Sequence, residues 1–276
     1  MLAIGEQETA SCYLGEVQLN SSTENAFVAS APEVIGTVNV LKGSFGTINP
    51  ESVFEYRGNV WWGDANNGRW VQYSGNGLFP ISNYKMTRFW KNWFEKFMSM
   101  TKAEIEAFGG RPFIFTTVDP FHDELLISLP KLANESPKGV LPFFRTSNDQ
   151  KYFVDYPFDI LDYKGKTIVY DLVSNTWRGS YSFYSEGFST LQNQLYSFKN
   201  GQMYIHNQFD LQNYFYGEQF HSYIMPVSNK QPNVPKPYNN MAIEANMQPV
   251  YTYLYNDYPY QQINDVSSYC CVPNPF

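Results

Sequence analysis

Tyr163-Lys-Gly-Lys-Thr-Ile168-Val169-Tyr170-Asp171-Leu-Val-Ser-Asn175-Thr-Trp177 and Leu195-Tyr-Ser-Phe198-Lys-Asn200-Gly201-Gln-Met203-Tyr204-Ile205 share one rhythm. Each is rich in β-branched and aromatic residues, and each is cut by a pair of turn residues. Asn200-Gly201 predicts a type I′ hairpin turn, because that turn needs positive φ at both central positions. Ser174-Asn175 predicts a weaker turn of similar purpose. Strand, tight turn and strand in succession predict an antiparallel sheet. No catalytic residue type stands out inside the stretch, so it speaks for architecture alone.

The same grammar occurs upstream. Val53-Phe-Glu-Tyr56 leads through Arg57-Gly-Asn59 into Val60-Trp61-Trp62. Gly63-Asp64-Ala-Asn66-Asn67-Gly68 then turns into Arg69-Trp70-Val71-Gln-Tyr73, and Ser74-Gly-Asn-Gly77 closes the unit. Asp64 precedes Trp70 by the same six residues that separate Asp171 from Trp177, with Asn in both turns. The matched spacing predicts a repeat. In each copy the Asp is expected to open the turn by bonding its own backbone. The aromatic residue is expected to pack on the next sheet. The fold class expected is mainly β: propeller-like antiparallel blades of the kelch kind, separated by insertions, with a helical insertion and a proline-rich extended C-terminal arm.

Residues 1–82 are read as β-strand blades. Cys12–Leu19 and Glu33–Val40 alternate as strands, and Gly43-Ser-Phe-Gly-Thr-Ile-Asn-Pro50 reads as a loop. So abrupt a β start predicts that the chain is part of something longer, or that a neighbour covers its edge. Residues 83–110 are a helical insertion. Phe89, Trp93 and Phe97, flanked by Trp90, Phe94 and Met98, form a wide apolar helical face. This aromatic stripe is expected in the core, with a partner surface as the alternative. Thr101-Lys-Ala-Glu104 is a capping box for a second helix through Phe108, ended by Gly109-Gly110 and Pro112. Strands resume over residues 111–228, at Phe113–Val118 and Glu124–Leu129, with a loop insertion near 131–150 and further strands at Tyr214–Glu218 and Phe220–Met225. Residues 229–276 are dense in proline and read as an arm or edge strands. There Tyr251, Tyr253 and Tyr255 alternate as a docked strand would.

The whole chain has 276 residues, 18% of them aromatic, 16% charged, and a formal net charge of −7. Aromatic enrichment with charge depletion favours strands and buried interfaces. The acidic balance argues against wrapping nucleic acid by neutralising phosphates. Cys12, Cys270 and Cys271 offer neither a disulfide framework nor a paired metal spacing, and reduced thiols are expected. The start lacks the pattern of a secretory signal, and no apolar run nears the roughly 20 residues of a membrane span.

Candidate chemistry is thin. Asp119-Pro-Phe-His122-Asp123-Glu124 gathers carboxylates and an imidazole, but in no standard metal-ligand spacing, and a solvated hairpin turn is expected. Asp64 to Gly68 lacks the later Glu and the glycine position of a calcium loop. It also misses the glycine of a sialidase-type Asp-box, because position 66 is Asn. His206 and His221 sit in strand patterns with no nucleophile nearby in sequence. No nucleophile elbow, phosphate-cradling loop or metalloprotease helix occurs. Paired carboxylates from distant strands could serve glycoside hydrolysis, yet nothing selects a pair. Hence no catalytic, cofactor-binding or metal-ligating residue is assigned, no cofactor is expected, and the chain is read as a non-enzyme.

Gly43–Ser52, the Tyr56–Tyr73 hairpin, Ser74–Met86 and Asn193–Asn207 together resemble the tail-nozzle proteins of short-tailed phages, in particular the muzzle proteins of crAss-like phages. The resemblance covers most of Thr9–Glu244 and lies with the C-terminal portion of that longer family. It implies a β-propeller body in a homo-oligomeric ring, a hexamer, with other tail proteins above and below and DNA leaving through the centre without specific binding. It also implies a place in the virion after assembly in the host cytoplasm, and it carries no catalytic residues. The alternative is a carbohydrate-binding or glycan-degrading propeller used in host attachment. Trp61, Trp62, Trp70 and Trp177 would then stack on sugar rings, although their strand-turn-strand setting points to packing instead.

Overall fold

The computed structural model describes residues 1–20, 26–107, 109–132, 144–147, 150–153, 165–208, 213–220, 240–245 and 265–270. The chain is mainly β and divides into two compact units, Met1–Pro137 with Tyr156–Ser222, and Lys138–Asp155 with Tyr223–Phe276.

The first unit begins with β1 (Leu2–Ile4), β2 (Thr9–Asn20) and β3 (Ala26–Val40), an antiparallel N-terminal sheet in that order. Next comes a four-stranded meander, the first sheet: β4 (Phe54–Tyr56), β5 (Asn59–Asp64), β6 (Arg69–Ser74) and β7 (Gly77–Pro80). Helices α1 (Thr87–Met98) and α2 (Lys102–Ala107) follow. The second sheet takes β8 (Phe115–Asp119) and β9 (Glu124–Pro130). The chain then enters the second unit as the hairpin β10 (Phe144–Ser147) and β11 (Gln150–Phe153). It returns as β12 (Gly165–Asp171) and β13 (Thr176–Tyr181), completing the order β13-β12-β9-β8. The third sheet is β14 (Gly187–Leu191), β15 (Gln194–Lys199) and β16 (Gln202–Ile205), followed by the small hairpin β17 (Tyr214–Phe215) and β18 (Glu218–Gln219). In the second unit β19 (Asn240–Ala245) pairs in parallel with β20 (Asp265–Cys270).

Strand alternation explains the layering. Successive side chains point to opposite faces. Trp61 and Trp70 enter a large core with Leu125, Ile127, Leu129, Ile168 and Tyr170. Their neighbours Trp62 and Val71 enter another, with Phe45 and the β1 residues Leu2 and Ile4. Leu126 and Val169 join Leu195 of the third sheet. The layers therefore run N-terminal sheet, first, second, third, and both middle sheets are covered on both sides. Every residue of β9 is buried. That is why Leu125-Leu126-Ile127 reads as an unbroken apolar run, unlike the one-sided alternation common in antiparallel sheets.

The aromatic face of α1 is core, although Met98 at its end stays exposed and α2 buries none of its residues. Trp90, Trp93, Phe94 and Phe97 of α1 are all buried among the residues of the first and second sheets. Trp70 and Trp177, the aromatic ends of the two matched sequence units, converge on Trp90, with ring centroids 5.0 and 5.5 Å away. Gly63 lies opposite Trp70 across the ladder, and a Cβ there would fall 2.6 Å from the indole, so only glycine lets that ring lie against the strand. The matched units differ in place, however. β5–β6 is the central hairpin of its sheet and β12–β13 the edge hairpin of its own. The Asp-to-Trp spacing marks a kind of turn, because it depends on local backbone bonding rather than on strand position.

Several local expectations hold. Asn200 and Gly201 both have positive φ (51° and 72°). Gln192-Asn193 does the same between β14 and β15, without a glycine to announce it. The capping box forms: Thr101 N–H donates to Glu104 Oε2 at 2.7 Å, and Glu104 N–H donates to Thr101 Oγ1 at 3.3 Å. The stretch 43–50, read as a loop, supplies Thr47 and Asn49 to a buried polar knot that also takes in Ser52. Thr47 Oγ1 donates to Gly63 O at 2.8 Å, Gly63 N–H donates to Ser52 Oγ at 3.2 Å, and Ile114 N–H donates to Asn49 Oδ1 at 3.2 Å. Phe108, His221, Tyr251, Tyr253, Tyr255, Cys271 and most of the proline-dense arm lie outside the described residues, as do much of the 131–150 insertion and the strand expected over Phe220–Met225 beyond its first residue.

Candidate functional site

The titratable residues singled out at Asp119–Glu124 meet Asp171 at one end of the second sheet. Asp119 pairs with Glu124 across β8–β9, and Glu124 pairs with Asp171 across β9–β12. The three carboxylates thus stand in a row, and all three residues are buried. The expectation of a solvated turn is corrected here: His122 and Asp123 reach solvent, while Asp119 and Glu124 are covered by partners from β13 and from the segment after β16. Only the three-dimensional register brings those partners in.

Each carboxylate is occupied. Asp119 Oδ1 accepts the Phe121 backbone N–H at 3.0 Å, while Oδ2 bonds His122 Nδ1 at 2.8 Å and accepts Asn207 Nδ2 at 2.9 Å. Glu124 accepts Arg178 Nη1 at 2.8 Å on one oxygen and Tyr181 OH at 2.9 Å on the other. Asp171 Oδ1 accepts the backbone N–H groups of Val173 and Ser174, and its Oδ2 meets Arg178 Nη2 at 2.6 Å. Hydrogen bonding by the Ser174 backbone, aided by Val173 and Arg178, holds the Asp171 carboxyl below its usual range. Burial first, and then the Glu124 charge, pushes the Tyr181 phenol up. Arg178, Tyr181 and Asn207 carry no motif, and sequence reasoning missed them. A shallow depression of about 330 Å³, lined by Glu124, Val169, Arg178, Gly179, Ser180 and Tyr181, opens beside the row.

The arrangement is an ion pair shared by two carboxylates, and it ties the edge strand β13 to β9 and β12. Arg178→Met is expected to lower the melting temperature at pH 7, because Glu124 and Asp171 would face each other without a cation. The deficit should shrink in an Arg178→Met, Glu124→Gln, Asp171→Asn triple variant. It should also shrink as the wild type is acidified: the pairing that depresses Asp171 stabilises above the unfolded carboxylate pKa of about 3.9 and is lost as pH falls through the folded value. Thermal melts from pH 7 to 3 read both effects.

A second polar cluster surrounds His206, read from sequence as lacking a nucleophile neighbour. The structure corrects this, since Ser197 Oγ lies 2.6 Å from His206 Nε2 and accepts Tyr216 OH at 3.0 Å. Ser197 is fully buried, and Phe183, Phe215 and Tyr216 pack around the imidazole. Burial lowers the His206 pKa to about 4, with the Asp119 charge opposing it. With Tyr216 donating to Ser197, the serine proton is free to bond a neutral imidazole. The Ser197 hydroxyl does not face solvent.

The turn at Asp64 forms as expected. Asp64 Oδ1 accepts the Asn67 backbone N–H at 3.0 Å, and its Oδ2 accepts the Asn67 amide at 2.7 Å. Desolvation raises the Asp64 pKa against these bonds. Trp61, Trp62 and Trp70 are at most 2% exposed, and Trp177 is half-buried against Tyr170 and Trp90. Three of the four are therefore core residues, and Trp177 keeps part of its surface exposed. Among the described residues, no group of three or more His, Cys, Asp or Glu side chains is placed to hold a metal ion, and no helix is long and apolar enough to cross a membrane. No protein-family model and no curated protein matches the chain.

Proposed function

We propose that this chain is a phage virion structural protein, a subunit of the tail nozzle whose ring, a hexamer, forms a channel for DNA ejection. In this reading the three stacked sheets are blades of a propeller, other tail proteins sit above and below, and DNA passes without specific binding. The supporting observation is the layering itself. Two successive meanders are covered on both faces, and the polar clusters around Glu124 and His206 are consumed in internal bonds. Such a body suits a scaffold. The resemblance of Gly43–Ser52, Tyr56–Tyr73, Ser74–Met86 and Asn193–Asn207 to muzzle proteins supplies the role, and the net charge of −7 suits a wall that must not grip phosphates. Of the tryptophans offered for sugar stacking, Trp61, Trp62 and Trp70 are core residues and Trp177 is half-buried.

Intact-protein mass spectrometry on purified particles tests the reading. The expected result is this chain, or a longer polypeptide containing it, as a stoichiometric particle component. Abundance in the lysate with absence from particles would overturn it.

A further inference from the structure

Asn-Gly occurs three times in the chain, at Asn67-Gly68, Asn76-Gly77 and Asn200-Gly201. The pair is chemically labile, because the glycine nitrogen can attack the Asn side-chain amide carbon and no Cβ on the glycine stands in the way. The three pairs sit at different positions in their turns, and that placement decides which nitrogen is free. Gly68 N–H donates to Ala65 O at 3.3 Å, and the Asn67 amide is held by Asp64 Oδ2 at 2.7 Å and by Ser44 O at 2.9 Å. Gly77 is the last residue of its turn and pairs with Ser74 across β6–β7. That is the position whose N–H donates back to the first carbonyl of a turn. Asn200 and Gly201 are instead the central residues of theirs, between the paired Lys199 and Gln202. Among the described residues, neither the Gly201 N–H nor the Asn200 side-chain amide has a hydrogen-bond partner. Both residues are exposed, and a Cβ at Gly201 would meet nothing, so the tip has room to rearrange.

We propose that Asn200 is a site of spontaneous modification: in the folded chain it cyclises with Gly201 and hydrolyses to isoaspartate and aspartate, ahead of Asn67 and Asn76. Solvent base takes the Gly201 amide proton, the nitrogen bonds to Asn200 Cγ, and ammonia leaves from that carbon. Water then opens the cyclic imide at either carbonyl. The net change is ammonia lost and water gained, with nothing oxidised or reduced. Opening at the former backbone carbonyl leaves isoaspartate, whose main chain runs through the side chain and carries an extra methylene. A tight hairpin turn fixes the register of the strands it joins, so this product does not keep Lys199 opposite Gln202. Either product places a new carboxylate beside Glu186, whose Oε2 accepts the Asn200 N–H at 2.9 Å and whose Oε1 lies 3.0 Å from Lys199 Nζ. The modification loosens the β15–β16 hairpin as the protein ages. It stands apart from the nozzle reading and needs no partner.

The test holds the purified full chain at neutral and at mildly alkaline pH, both folded and in urea, and follows all three pairs by peptide mapping with mass spectrometry. In the folded chain Asn200 is expected to react roughly fivefold faster or more than Asn67 and Asn76, the factor for opening the hydrogen bond that occupies each of their glycine nitrogens. Its rate should rise with pH, and hydroxylamine should cleave the chain after Asn200 by trapping the imide. In urea, where no turn persists, the three rates should converge. The isoaspartyl product should lose hydrogen-exchange protection along β16. Asn200→Asp, which adds the charge without lengthening the backbone, should keep it. Asn200 intact in the folded chain after it has reacted in urea, or Asn67 or Asn76 matching its folded rate, would overturn the inference. Equal protection in the isoaspartyl product and in Asn200→Asp would overturn its effect on the hairpin.

Discussion

Trp90→Ala is expected to destabilise the first unit by about 3–5 kcal/mol, the range for emptying a buried aromatic site. For a domain of this size that corresponds to a fall in melting temperature of roughly 10 °C. The reason is position. Trp90 is fully buried, and its ring lies within 6 Å of Trp70, Phe89, Phe94 and Trp177, which come from both meanders and from α1 itself. Removing it opens a cavity where the first sheet, the second sheet and the helix meet, and neighbouring indoles cannot collapse into it without leaving their own packing. Trp90→Phe should cost far less. The indole N–H of Trp90 meets no acceptor among the described residues, so phenylalanine removes a desolvated donor along with the lost ring area. Urea unfolding followed by near-ultraviolet circular dichroism measures both. An alanine variant within about 1 kcal/mol of wild type would mean that α1 is not part of the core.

His206 is expected to make stability depend on pH between about 6.5 and 4. In the unfolded chain the imidazole titrates near 6.5, and in the folded chain burial lowers it to about 4. The unfolded state therefore takes up a proton first as pH falls. Stability is unaffected above pH 6.5, declines by about 1.4 kcal/mol per pH unit below it, and levels off near pH 4. Between pH 6.5 and 5 the loss is about 2 kcal/mol, and the whole effect is about 3 kcal/mol. Protonation would also end the bond from Ser197 to Nε2, a contact of 2.6 Å. His206→Gln keeps a polar atom beside Ser197 and does not titrate. Its urea midpoint should be nearly flat over this window while that of the wild type falls. Parallel slopes for the two proteins would show that His206 does not bear this dependence.

These expectations differ in what made them available. The α1 stripe was legible because Phe89, Trp93 and Phe97 recur at helical spacing, and a wide aromatic face has few places to go but inward. That Trp70 and Trp177 both end on Trp90 was not legible, since three segments far apart in sequence meet there. The same holds at the carboxylate row. Asp119 and Glu124 stand out in the sequence, but Asp171 reaches them only through the β9–β12 register, which spans a long insertion. Arg178 and Tyr181 then arrive as edge-strand residues of no evident pattern. Ser197 and His206 sit on adjoining stretches, yet their contact depends on the β15–β16 hairpin pairing and on Tyr216 from beyond it.

The amino-acid sequence by itself determined the local units of this protein: strands of β-branched and aromatic residues, the Asn200-Gly201 turn, the carboxylate-led turns at Asp64 and Asp171, the amphipathic α1 and the capped α2. These follow from steric and hydrogen-bonding rules that act over a few residues, so nearby sequence suffices. The tertiary structure alone decided which faces are covered. It set Trp61 and Trp62 into different cores, placed the matched Asp-to-Trp units at different positions in their sheets, buried the acidic row, and left Val38, Val40 and the outer β14–β16 face exposed. Burial is a property of layers stacked across long sequence separations, and alternation along one strand says only that its two faces differ, not what lies against each.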